Sequence, residues 1–176
     1  CSLNPTFIAS NKVGIWPDSA TNFIQGTVGV PYAQNITVKV PLDTISSGIK
    51  FCFNRVELTT STVVTNYNLP PGLNFGSSNS ALANGTVSGA PSFKFPGNAN
   101  NCAGIYGTPT TAGIYTLVLK VQPYVTPQPF GNCAASPNIT GGSAITAASI
   151  LNYYIIKINA TAGVKEDVNA KSLNIS

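Results

Sequence analysis

Asn35-Ile36-Thr37-Val38-Lys39-Val40 places Ile36, Val38 and Val40 on one side of an extended chain and Thr37 and Lys39 on the other. That is the two-residue repeat of a half-buried strand. The same alternation returns in Tyr115-Thr116-Leu117-Val118-Leu119-Lys120-Val121. Leu151-Asn152-Tyr153-Tyr154-Ile155-Ile156-Lys157-Ile158 is apolar on both faces at its centre, which fits a strand covered on both sides or lying at a subunit contact. Weaker strands are expected around Ile49 to Leu58, Thr62 to Asn66, Thr86 to Ser88 and Gly104 to Tyr106. No segment sustains a 3.6-residue apolar period between helix caps, so the chain reads as all-β.

Turn chemistry separates these runs. In Leu69-Pro70-Pro71-Gly72-Leu73, Pro71 presets φ for the first central position and Gly72 supplies the positive φ of a type II turn. Gly107 to Gly113 ends one strand and reverses the chain before the next. Gly76 to Gly85 and Pro127 to Gly142 read as surface loops, where binding residues tend to concentrate. No internal repeat of solenoid or propeller type is present.

The 176 residues suit one domain, and 43% hydrophobic content supports a packed core. Only 8% are charged, against roughly 25% in ordinary soluble domains, so Thr, Ser, Asn and Gly must build the surface. The net charge of +4 does not point to nucleic acid. Its eight lysines stand singly, and Arg55 is the one arginine available for bidentate phosphate contact.

The four cysteines, Cys1, Cys52, Cys102 and Cys133, are too widely spaced for a CxxC motif, and there is no histidine. Two disulfides are expected, and with them an oxidising compartment, extracellular or at the cell surface. No apolar run is long enough to span a membrane. The chain starts at Cys1 and contains no methionine, which suggests a removed signal peptide and permits a lipid anchor on Cys1.

Catalytic chemistry has little to stand on. The acidic residues are Asp18, Asp43, Glu57, Glu166 and Asp167, and the last two fall in a tail segment. Asp18, Asp43 and Glu57 could supply a glycosidase pair only by coincidence of folding, and a hydrolase using Asp43 and Glu57 is the least favoured reading. A serine nucleophile would lack a histidine base, and neither GxSxG nor SxxK occurs. No calcium loop is present. The expectation is a non-enzyme without cofactor or metal. Trp16, Tyr124 and Phe130 are the aromatic side chains that could contact a ligand, although a single Trp more often anchors a core or an edge.

The Leu69–Leu73 turn, Asn84-Gly85-Thr86-Val87-Ser88-Gly89 and Gly104-Ile105-Tyr106-Gly107-Thr108-Pro109-Thr110-Thr111-Ala112-Gly113-Ile114-Tyr115 together resemble the immunoglobulin-like modules of bacterial surface proteins. In these, an LPPGL turn precedes a GTPTxAGxY segment. Gly26 to Tyr32 looks like the segment ahead of their first long strand. The resemblance covers about the central half of the chain and implies an immunoglobulin-like antiparallel β-sandwich with long loops. A long piece between Val40 and Leu69 and the loop around Cys133 depart from the pattern.

Cys1 to Pro5 with Gly14 to Asp18 is similar to the start of Bacteroidetes proteins exported by the type IX secretion system, and Gly163 to Ser176 looks like the linker before a removed sorting domain. This implies a sandwich domain over 1–162 and a tail over 163–176. Asp18-Ser19-Ala20 and Asp43-Thr44-Ile45 fit that phylum's O-glycosylation acceptor pattern at Ser19 and Thr44, and equally fit two ordinary turns.

Three cysteine pairings are possible. On an immunoglobulin-like strand order all four fall near one end of the sandwich, and Cys1 with Cys102 and Cys52 with Cys133 is favoured, because the second bridge then joins neighbouring connections. The function implied is a structural or adhesive surface module, with a carbohydrate-binding accessory module as the alternative. Its partners would be other protein subunits or surface glycans, and a homo-oligomer could form through edge strands or the tail. The tail with Val164, Val168, Leu173 and Ile175 is expected to be disordered on its own and, where ordered, to be held by a partner, with an exposed sheet edge of the same molecule or a neighbour favoured.

Overall fold

The computed structural model describes residues 1–60, 64, 66–76, 83–87, 90–144 and 148–161. The chain forms fourteen strands and one short helix among them. The helix α1 is Pro5–Ala9, and the strands are β1 Gly14–Trp16, β2 Gly26–Thr27, β3 Tyr32–Val40, β4 Asp43–Ser46, β5 Ile49–Thr59, β6 Leu73–Gly76 and β7 Ala83–Val87. There follow β8 Ala90–Pro96, β9 Ala99–Gly107, β10 Gly113–Thr116, β11 Leu119–Pro127, β12 Ser143–Ala144, β13 Ser149–Leu151 and β14 Ile155–Asn159. One sheet runs β1-β3-β9-β6, a second β10-β14-β2 and a third β12-β11-β5-β8-β7, with β13 on β11 and β4 on β5. All pairings are antiparallel except β14 with β2.

The sheets face each other across one apolar core, a β-sandwich-like arrangement. Ile36, Val38, Leu73, Phe75 and Ile105 from the first sheet meet Leu58, Phe93, Phe95, Leu119 and Ile156 from the others. The alternation read in Asn35–Val40 is what aims Ile36, Val38 and Val40 inward. Thr37 is nevertheless 1% exposed, because the N-terminal segment lies over the outer face of this sheet. Asn4 caps α1 by accepting from the Phe7 N–H, and its own N–H donates to Thr37 Oγ1 at 2.8 Å. The Lys39 ammonium donates to the carbonyls of Ile8 and Ser10, and Cys1 is bridged to Cys102.

The piece between Val40 and Leu69 contains the β4–β5 hairpin, closed by Ser47 and Gly48, both at positive φ, as a two-residue hairpin turn requires. The expected turn at Leu69–Leu73 forms, with the Leu73 N–H donating to Pro70 O at 3.0 Å and Gly72 at φ 90°. Three expectations need correcting. Leu151–Ile158 is not one strand: β13 ends at Leu151, and Asn152-Tyr153-Tyr154 carries the chain to another sheet before β14 begins. The run Tyr115–Val121 breaks at the same level, because the Leu117 N–H is taken by Tyr154 O and the Val118 N–H by Tyr67 O. Part of the loop expected over Gly76–Gly85 is strand, since β7 starts at Ala83. The weak strand expected over 62–66 lies mostly outside the described residues, and Asn66 opens a single 3-10 turn to Asn68.

The disulfides are Cys1–Cys102 and Cys52–Cys133. The two bridges fix opposite layers. Cys102 sits mid-strand opposite Thr37 in the first sheet, and Cys52 belongs to β5 in the facing layer.

Candidate functional site

Trp16 closes β1 opposite Thr37, and the Phe7 ring of α1 stacks on it at 5.8 Å. Half-buried, it forms the ridge between two surface hollows. On one side lie Phe7, Ser10 and Lys12, and on the other Ser2, Gln34 and Asn35. The second hollow, ≈ 370 Å³, shares Ala33, Gln34 and Asn35 with a third of ≈ 350 Å³ that ends at Tyr106. The two adjoining hollows form a furrow across the Ala33–Asn35 stretch of β3, with Cys1 to Pro5 of the N-terminal segment on its lining.

Tyr106 is directly opposite Ala33 in the β3–β9 ladder and is 53% exposed. A methyl group at Gly76 would fall 2.6 Å from its Cε1, so the phenol ring lies over the glycine backbone and turns a face to solvent. Gln34 accepts from the Ile24 N–H at 3.0 Å and donates to Asn35 O at 2.7 Å, which fixes its amide at the furrow's margin.

The other sequence candidates lie elsewhere. Tyr124 is on β11, where the Arg55 guanidinium sits 3.6 Å from the ring centroid. That face is occupied by a cation and is closed to a sugar. Arg55 also pairs with Glu57 at 2.7 Å and donates to Gly141 O at 2.6 Å. Asn54 donates to Asn138 O and accepts from Thr126, so this cluster holds down the loop after β11. Phe130 in that loop is 88% exposed. Ser19 is exposed in a turn where Asp18 accepts from the Thr21 N–H at 2.8 Å, a bond that holds the Asp18 carboxyl below its usual range. Thr44 is half-buried on β4.

Asp43 is opposite Cys52, five residues before Glu57 on β5, so the two carboxylates stand roughly 15 Å apart along the strand. A glycosidase pair needs a separation of roughly 5–9.5 Å, and this one does not meet it. Among the described residues no group of three or more His, Cys, Asp or Glu side chains comes together, and no helix is long and apolar enough to cross a membrane.

One further opening is apolar. Between β1 and the facing layer, Val13, Ile15 and Val40 look across at Phe53, Val56 and Val121 around a slot of ≈ 200 Å³. Tyr106 and this slot went unsingled in the sequence. The one signal for Tyr106 was its outward position in the Gly104–Tyr106 strand. Comparison of the chain with models of known protein families gives no match, and comparison with curated proteins gives none either.

Proposed function

We propose that the chain is a non-enzymatic extracellular module, structural or adhesive, that joins neighbouring subunits through an open edge of an immunoglobulin-like sandwich. The observation that carries this reading is the apolar slot beside β1, where the two layers part and leave Val13 54% exposed. An unfilled apolar opening of this kind costs stability unless another chain segment fills it. The edge strand β1 also offers backbone groups to an added strand.

The immunoglobulin-like reading is supported by strand order. β1-β3-β9-β6 corresponds to the A-B-E-D sheet of such folds, and β5, β11 and β13 to strands C, F and G, with β7 and β8 as an inserted hairpin. The surface-protein reading draws on the two disulfides and the weakly charged, hydroxyl-rich composition. Export by a type IX system, in a Bacteroidetes source, rests on the terminal motifs, and glycosylation at Ser19 and Thr44 on their tripeptides. Residues 162–176 lie outside the described residues. In their sequence, Leu173 and Ile175 have the spacing that puts two apolar side chains on one face of a strand.

The test is mass by light scattering for three proteins: the full chain, a deletion of Lys165 to Ser176, and Val13→Asp at the slot's rim. The expected result is an assembly that both changes dissociate. An unchanged oligomer in the deletion removes the tail from the contact, and an unchanged oligomer in Val13→Asp removes the slot. A wild type that is monomeric at every concentration ends the assembly reading.

A further inference from the structure

We infer that the furrow between Tyr106 and Trp16 is a binding site for a short neutral oligosaccharide. The inference deepens the adhesive reading and rests on it by naming the ligand class, while its geometry is independent of the slot and of assembly.

The chemistry of the lining decides the class. The two hollows that make up the furrow contain no charged side chain, so no lysine or arginine is placed there to pair with phosphate, sulfate or sialic acid. They offer instead what a pyranose uses: flat apolar rings for its C–H faces, with amides and hydroxyls for its own hydroxyls. Tyr106 presents a ring face half open to solvent at one end, and the Trp16 indole stands at the other. Asn35 projects outward between them, and Gln34 lies at the margin.

Length argues for an oligosaccharide rather than a single sugar. Tyr106 is opposite Ala33 and Trp16 is opposite Thr37 on the two strands that flank β3, so their backbone positions are offset by about 13 Å along β3 and about 10 Å across it. The floor is preorganised. Ladder hydrogen bonds hold β3 and β9, and the Cys1–Cys102 bridge and the Asn4–Thr37 bond fix the wall. Little conformational entropy is then lost on binding.

Trp16 is the only tryptophan in the chain, so its emission reports on the furrow directly. The experiment titrates the full chain with cellotriose, maltotriose, mannotriose and triacetylchitotriose, with sialyllactose as the charged control. Wild type, Tyr106→Ala, Asn35→Ala and Phe130→Ala are compared. The expected result is a saturable change with at least one neutral trisaccharide, weakened on the order of tenfold by Tyr106→Ala, weakened by Asn35→Ala, and untouched by Phe130→Ala. Thermal unfolding of each variant accompanies the titration, and Tyr106 and Asn35 are exposed enough for both variants to fold. No saturable change with any neutral probe overturns the inference, as does binding by Tyr106→Ala equal to wild type or loss of binding in Phe130→Ala. Light scattering on the same samples separates the two proposals: a monomer that binds sugar keeps this one and removes assembly, and an oligomer that binds none does the reverse.

Discussion

Gly72 and Gly107 meet backbone to backbone. A methyl group added to Gly107 would overlap Gly72 O, and one added to Gly72 would overlap Thr108 O. Both glycines are at positive φ, 90° and 137°. The Thr110 N–H then donates to Pro71 O at 2.9 Å, clasping the Leu69–Leu73 turn onto the segment after β9. The two motifs read separately in the sequence are thus one contact. Gly107→Ala adds backbone strain to steric overlap and is expected to cost about 2–4 kcal/mol, measured as a lowered urea midpoint at constant m-value.

Arg55 is 7% exposed and serves three partners at once: Glu57, Tyr124 and Gly141. Arg55→Ala leaves Glu57 without its counter-charge in a poorly solvated place, at a cost of about 3 kcal/mol. It also unpins Gly141, so limited proteolysis should cut within residues 128–142 sooner than in wild type. Arg55→Lys keeps the charge but loses the planar stack and fork, and falls between the two.

The bridges close spans of 101 and 81 residues. Each stabilises by about 4–5 kcal/mol in the chain-entropy account, so Cys52→Ser with Cys133→Ser should lower the denaturation midpoint substantially. Non-reducing peptide mapping should recover Cys1 with Cys102 and Cys52 with Cys133. A peptide joining Cys1 to Cys52 would contradict the fold.

Burial pushes the phenols of Tyr32, Tyr67 and Tyr154 above their ordinary value of 10.0. In the unfolded chain they ionise near pH 10, and in the folded chain they do not. Their contribution is whole below pH 10 and is lost as the pH rises beyond it, because ionisation then favours the unfolded state. Alkaline unfolding with an onset above about pH 10 is expected, with the tyrosinate absorbance of these three, out of seven tyrosines in the chain, appearing together with the loss of circular dichroism. Tyrosinate signal from all three without loss of structure would contradict their burial.

Much of this fold was legible in local pattern. The alternation in Asn35–Val40 gave the right inward face, and Pro71-Gly72 gave the turn. The alternation does not say which outward faces stay open. Thr37, Tyr124 and Tyr106 all project outward, yet Thr37 lies under the N-terminal segment, Tyr124 under Arg55, and Tyr106 under solvent. The apolar centre of Leu151–Ile158 misled for a related reason. Tyr154 is buried against Phe23 at 4.8 Å while the chain passes from one sheet to another, not within a doubly covered strand.

The sequence by itself determined the all-β class, the inward faces of the long strands, the turn at Leu69–Leu73 and a disulfide-compatible set of cysteines, because each of these follows from side-chain spacing or from the φ preference of a few adjacent residues. Only the tertiary structure decided that Trp16 and Tyr106 share one furrow, that Arg55 closes Tyr124, and that the layers part beside β1. Those outcomes depend on contacts between segments far apart in the chain, such as Cys1 on Cys102 and Ala33 on Tyr106, and no local repeat carries that information.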